Sequence, residues 1–438
     1  MSYDEQIRAA ESDPQQLEQL YRAAREREQV EAFRTALVAR HAAAPDNVLL
    51  DAWYYRLQAL PEERGKPGRA VKWWVAVPLS ILTGLIFWAI SDVDNFLLLG
   101  GLPQIFLWWA PIATTSALLF MAIAAKKRYA TAAALGLGVL AAAGYALLLA
   151  PAFRQDWASE QYVLLSIIHI PLLCWVALGI WAMGLNAGVA DRFAFLIKSI
   201  EVAIVAGLYL AAGVAFGGIT VGMFAALGIE LPEILARLIA AGGFGLVPVL
   251  AVATLYDPEA APADQDFEQG LSKFIATMMR LLLPLTLAVG VIYVLVIPFN
   301  FFAPFERRDV LVVYNVMLFA VVGLLLGATP VKGDELSPAL QKHLRLGIIA
   351  VAGLAVLVSV YALSAVVYRT VQGALTPNRL TVISWNSINI GILLVLVVTQ
   401  LRTGREGWIE ALHTVFSRAT NAYLAWGLFL VIALPILF

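Results

Sequence analysis

Apolar residues fall in eleven long blocks between Trp73 and Phe438, parted by short polar segments. Each block is about 20 residues long, the length an α-helix needs to cross a bilayer. Hydrocarbon offers no hydrogen bonds, so the backbone of every block must pair with itself, which only a helix or a closed barrel achieves. None of the blocks alternates with a period of two. The pattern predicts an all-α polytopic helix bundle with spans at 71–91, 104–125, 129–150, 161–184, 198–218, 234–255, 277–298, 310–328, 346–368, 380–400 and 419–438. Between the fifth and sixth lies Gly217 to Glu233, apolar and glycine-rich but too short to go out and return. It reads as an interfacial helix or a frayed helix end, with a re-entrant element as the sharper alternative.

Residues 1–66 follow a different pattern. Asp13-Pro14 starts a helix, with an acceptor side chain at the cap and proline in the first turn. Leu17, Leu20, Tyr21 and Ala24 follow at helical spacing. A second amphipathic helix carries Val30, Phe33 and Leu37, and a third carries Leu50, Trp53, Tyr54 and Leu57. With one apolar face each, these elements predict a small helical domain. Pro61, Gly65, Pro67 and Gly68 mark the linker to the spans. The helical run resembles a degenerate tetratricopeptide hairpin plus one helix, whereas stable arrays need about three repeats. A helical cap on the membrane domain or on a second copy is therefore expected ahead of a docking module for a cytoplasmic protein.

Composition fits this division. The chain is 61% hydrophobic and 14% charged, against about 25% charged in soluble proteins. A net charge of −1 over 438 residues points to no nucleic-acid partner and leaves membrane lipid as the main surrounding. Cys174 is the lone cysteine, so no intrachain disulfide can form. The stretch MSYDEQIRAAESD lacks the basic and apolar regions of a signal peptide, and the first span is expected to serve as the insertion signal. With the N-terminus inside, seventeen Lys and Arg fall in inner segments, among them Lys72, Lys126, Lys127, Arg128, Lys342 and Arg345, against five outside. Those five are Arg154, Arg307, Arg308, Arg369 and Arg379. The positive-inside rule then predicts a cytoplasmic N-terminus, an outer C-terminus and residence in the inner, plasma membrane.

Candidate chemistry is sparse. No Asp, Glu, Lys or Arg lies near the centre of a predicted span. Glu201 and Arg237 sit near span ends, where long side chains can snorkel. A proton-coupled exchanger needs a buried carboxylate, so that class is disfavoured. His169, followed by Pro171, is the one titratable group near a span centre: either a neutral imidazole satisfied by a neighbouring helix, or a titrating gate. Trp385, Asn386 and Asn389 put two amides about a turn apart on one face, fit for interhelical hydrogen bonds or for lining a polar path. Tyr314 and Asn315 are the other candidates for that path. Gly136, Gly138 and Gly144, Gly207 and Gly213, and Gly242, Gly243 and Gly245 predict close helix packing. The loop with Asp257, Glu259, Asp264, Asp266 and Glu268 lacks the spacing of a calcium site and reads as a solvated linker. The segment TPVKGDELSPALQKHLR reads as a surface amphipathic helix. No zincin, nucleophile-elbow, phosphate-loop or other cofactor motif occurs, which argues against an enzyme.

The stretch MMRLLLPLTLAVGVIYVLVIPFNFFAPFERRDVLVVYNVMLFAVVGLLLGATPV, with VVYRTVQGALTPNRLTVISW further on, resembles a family of bacterial polytopic membrane proteins of unknown function. That family carries a Gly-x-Thr-x-x-Arg-like signature after a long span. The matching residues are Tyr368, Arg369, Gly373, Leu375, Thr376, Asn378 and Arg379, with a departure at Ala374, and the likeness covers about 270–400. The resemblance implies membership and no particular reaction. Physically, Gly373 suits a tight turn, Thr376-Pro377 a helix start, and the outer arginines Arg307, Arg308, Arg369 and Arg379 lipid headgroups or an anionic solute. The expected function is a transporter or channel-like conduit for a small or lipid-like solute. The competing expectations are a non-transporting scaffold that docks a partner through residues 1–66, a homo-oligomer being compatible with either, and an enzyme acting on lipid-linked substrates.

Overall fold

The computed structural model describes residues 3–26, 29–59, 71–92, 96–98, 101–153, 155–267, 270–333, 335–404 and 406–438. The linker residues Pro61, Gly65, Pro67 and Gly68, together with Arg154, Glu268 and Arg405, lie outside them. The described residues are helical almost throughout and contain no strand. The chain divides into two units, Met1–Ala70 and Val71–Phe438.

In the first unit, α1 (Tyr3–Ala10), α2 (Pro14–Glu26), α3 (Val30–Ala43) and α4 (Val48–Ala59) close around their own core. The last three are the helices the apolar spacing predicts; α1 is additional. Asp13 accepts from Gln15 N and Gln16 N, and Asn47 accepts from Leu49 N and Leu50 N, so both helix starts are capped by side chains. Tyr21, Phe33 and Trp53 meet with ring centroids 5.5–6.1 Å apart. The Arg56 guanidinium lies over Trp53 and donates to Glu18 at 2.7 Å. Hydrogen bonds from Arg56 and then Arg22 hold the Glu18 carboxyl below its ordinary value. Its stabilising contribution is therefore present at neutral pH and fades as acidification passes that lowered value.

Among its described residues the second unit contains eleven helices long and apolar enough to cross a membrane. They are α5 (Trp73–Ile90), α6 (Ile105–Ala125), α7 (Tyr129–Leu149), α8 (Asp156–Met183), α9 (Val189–Ala226), α10 (Glu233–Leu255), α11 (Gly270–Val296), α12 (Arg308–Ala328), α13 (Pro338–Gln372), α14 (Pro377–Arg402) and α15 (Trp408–Ile432). Successive spans reverse direction, and the loop contacts agree. At one end, Lys72 donates to Ala124 O and pairs with Glu259, Lys127 donates to Glu259 O, and Arg280 pairs with Glu335. At the other, Arg237 pairs with Asp92 and Asn378 N donates to Gln161. These are the Lys126 end and the Arg379 end below.

Three boundaries differ from the sequence expectation. The last span is Trp408–Ile432 rather than 419–438, because Glu410, His413 and Arg418 interrupt its hydropathy without interrupting its helix. Residues from Gly217 to Ala226 continue α9, whose 38 residues reach about 57 Å, and a turn follows; no re-entrant or separate interfacial element forms. The second half of the segment read as a surface amphipathic helix, from Pro338 on, is the start of the 35-residue α13.

Close packing uses fewer glycines than expected. A Cβ on Gly245 would lie 2.6 Å from Gly84 Cα, and one on Gly84 would lie 2.7 Å from Gly242 O. Here α5 and α10 touch backbone to backbone, beside a single π-helical turn at Leu238–Gly242. Gly138, Gly207, Gly213 and Gly243 have nothing within 4 Å of where a Cβ would sit. Gly245→Val is expected to destabilise the protein by about 1–3 kcal/mol through overpacking. Thermal unfolding in detergent checks this, with Gly138→Ala unchanged; equal melting temperatures for both variants would refute the contact.

Candidate functional site

The α13–α14 connection gathers polar side chains around a cavity. Thr376 Oγ1 accepts from Arg379 N at 3.2 Å, capping α14 with Pro377 in its first turn. This orients the start of α14 towards a cavity of about 490 Å³. Its polar lining comes from Gln161 on α8, Asn315 on α12, Arg369 at the end of α13, and Thr376, Asn378 and Arg379. Among the described residues no acidic side chain lines it.

Two of the four predicted outer arginines therefore converge. Arg379 Nη1 donates to Ala374 O at 2.7 Å, and a Cβ on Gly373 would lie 2.6 Å from that same nitrogen. Gly373 thus makes room for the guanidinium; its backbone is extended and needs no glycine. Arg369 Nη1 is buried and has no hydrogen-bond partner in the protein. Arg307 is exposed and does not line the cavity. Arg308 belongs to α12, but its side chain lies outside the described residues. Two guanidinium groups and the positive end of a 26-residue helix give the cavity positively charged walls, chemistry that suits an anion. Guanidinium groups match the planar, bidentate geometry of carboxylate or phosphate oxygens.

From the floor of the cavity a row of amides leads along α14. Asn386 Nδ2 donates to Asn315 Oδ1 at 2.6 Å and to Val382 O at 2.8 Å. One turn on, Asn389 Oδ1 accepts from Tyr423 Oη, while Asn389 Nδ2 is buried without a partner. Tyr314 accepts from Tyr293 and faces Tyr361, in a cluster apart from the cavity. Of the five predicted path residues only Asn315 reaches the cavity. Asn386 and Asn389 tie α14 to α12 and α15.

His169 is fixed by its neighbours. Trp385 Nε1 donates to His169 Nε2 at 2.8 Å, and His169 Nδ1 lies 2.6 Å from Leu165 O. An indole can only donate and a carbonyl can only accept, so the imidazole is neutral with its proton on Nδ1. In this conformation it joins α8 to α14.

Sequence reasoning missed a buried ion pair. Lys198 and Glu201 on α9 are 3% and 2% exposed. The Lys198 ammonium donates to Glu201 at 2.6 Å, to Asp266 O at 2.6 Å and to Ser272 Oγ at 3.0 Å, and Ser272 donates to Glu201 at 2.7 Å. Glu201 therefore does not snorkel. The loop read as a solvated linker folds over the pair through Asp266 and Phe267. Arg237 donates to Ser91 and Trp88 O as well as pairing with Asp92. The i, i+3 spacing of Lys198 and Glu201 was the available signal, hidden by its position beside a charged loop. Gln161 and Tyr423, each close to a polar stretch of its helix, gave weaker ones.

Among the described residues no group of three or more His, Cys, Asp or Glu could hold a metal. No family model matches the chain, and neither a curated protein nor a solved structure matches it.

Asn386→Leu is expected to lower stability by about 1 kcal/mol, the usual worth of an interhelical hydrogen bond in a membrane protein. Unfolding in detergent measures it, and an unchanged midpoint would show that the Asn315–Asn386 bond contributes nothing.

Proposed function

We propose that this is a membrane transporter or channel-like conduit for a small anionic solute, with the α13–α14 helix pair as its route. One observation carries the reading. Among the described residues, buried polar atoms without a partner recur along this pair from end to end: Arg345 Nε, Ser359 Oγ and Arg369 Nη1 on α13, Asn389 Nδ2 and Gln400 Oε1 on α14. Polar atoms left unmet inside a bilayer are costly, and a row of them is accounted for by a route that water or solute visits. The charge of the Arg369–Arg379 cavity supplies the preference for anions. By the positive-inside rule this cavity faces outward and the N-terminus faces the cytoplasm, in the plasma membrane of a bacterial cell. A lipid-like solute with an anionic headgroup belongs to the same reading.

A scaffold role for the first unit is the second reading. It is supported by the separate core of α1–α4 and by the exposed Val48 and Tyr55, which are 82% and 60% accessible.

Flux in proteoliposomes separates the two. Anion uptake, assayed with phosphate, chloride and acetate, is expected above that of empty vesicles. Arg369→Gln and Arg379→Gln should each reduce it about tenfold or more, the cost of a lost charged hydrogen bond, with Arg307→Gln unchanged. Uptake no greater than in empty vesicles for every anion would overturn the conduit.

A further inference from the structure

Helices α13 and α14 begin alike at opposite ends of the bundle: Leu336-Ser337-Pro338 and Leu375-Thr376-Pro377. Each cap hydroxyl accepts from the backbone three residues on, Ser337 from Leu340 N and Thr376 from Arg379 N. Each start also faces a cavity. The one at the Lys126 end holds about 450 Å³ and takes its polar lining from Gln341, Lys342 and Arg345 on α13 and Gln400 on α14, with Trp408 beside them. Among the described residues no acidic side chain lines it. Asn378 and Gln400 are 22 residues apart on α14, about 33 Å along the helix, close to the thickness of a bilayer core.

The polar groups of this cavity are held but unfulfilled. Arg345 Nη2 donates to Gln400 O and Thr403 O, neutralising the last carbonyls of α14, while its Nε is buried without a partner. Gln400 is 0% exposed. Its Nε2 donates to Trp408 O at 2.9 Å, which leaves Oε1 as an acceptor with nothing to accept. A ligand that completes the site must therefore accept from a guanidinium and donate to an amide oxygen. A halide does only the first, and the cationic lining excludes a metal ion or an amine.

We infer that this cavity is a second oxyanion site, for a phosphate group accompanied by a hydroxyl or an acid proton. Hydrogen phosphate in solution and the glycerol-phosphate headgroup of phosphatidylglycerol share that chemistry. The inference rests on the conduit reading in treating the two cavities as ends of one route. Binding at the second cavity is nevertheless measurable at equilibrium, without flux. Leu393 and Leu396, both 0% exposed, lie on α14 between Asn389 and Gln400.

The test uses the full chain carrying Arg369→Gln and Arg379→Gln, so that the first cavity no longer contributes, in phosphatidylcholine nanodiscs. Calorimetric titration with inorganic phosphate reads the free-anion arm. Native mass spectrometry of phosphatidylglycerol retained from mixed vesicles reads the lipid arm. Lys342 is exposed, so Lys342→Glu should fold, and size-exclusion chromatography verifies that it does. Binding in either arm, weakened about tenfold or more by Lys342→Glu through charge reversal and reduced by Gln400→Met, supports the site and identifies the source. No binding in either arm, or binding that Lys342→Glu leaves unchanged, overturns it. Neither failure touches the flux result, which depends on Arg369 and Arg379.

Discussion

Hydrocarbon leaves a polar group no partner except another part of the protein. Every part of the second unit answers to that constraint. It makes the spans helical, and it sends Lys72, Arg128 and Arg345 to the carbonyls at helix ends. It also joins α12 to α14 through Asn315 and Asn386, and α8 to α14 through His169 and Trp385. Several polar side chains obey it within their own helix: Thr83, Thr115, Ser199 and Thr381 each donate back to the carbonyl four residues earlier.

Against that background the exceptions carry information. A single unmet hydroxyl in an apolar bundle is a local defect. A succession of unmet donors and acceptors from Arg345 to Arg369, and from Asn389 to Gln400, is a different matter, because each alone would be costly and they share one helix pair. The pair also has a matched construction, with each helix presenting its capped start to a cationic cavity. The Lys198–Glu201 pair shows the opposite solution. There Ser272 and the Asp266 carbonyl surround two charges in direct contact. A buried pair of this kind adds little net stability while fixing the arrangement of α9, α11 and the loop between α10 and α11.

The spans were readable in the sequence because hydropathy over about 20 residues is a strong local signal, and Thr376-Pro377 was readable because capping chemistry is local. What depended on distant neighbours was not. Glu201 looked like a boundary residue until the fold put Ser272 and Asp266 around it. Gly373 looked like a turn glycine, whereas its role is to leave space for Arg379. Gly207 and Gly213 matched a packing motif, yet among the described residues nothing lies within 4 Å of where a Cβ on either would sit. His169 and its partner Trp385 are 216 residues apart, so nothing local could have indicated the bond. The convergence of Arg369 and Arg379 was foreseen as shared location at one interface; the cavity between them was not.

The central claim is that α14 borders a polar route along one face and lipid along another. Cysteine scanning along α14 in a Cys174→Ser background, with a water-soluble thiol reagent applied from each side of sealed vesicles, tests it directly. The account requires Val382→Cys to react from the Arg379 side and Leu401→Cys from the Lys126 side, with Leu394→Cys and Val395→Cys inert from both. Reactivity at Leu401→Cys alone, with Val382→Cys as inert as the lipid-facing positions, would contradict it.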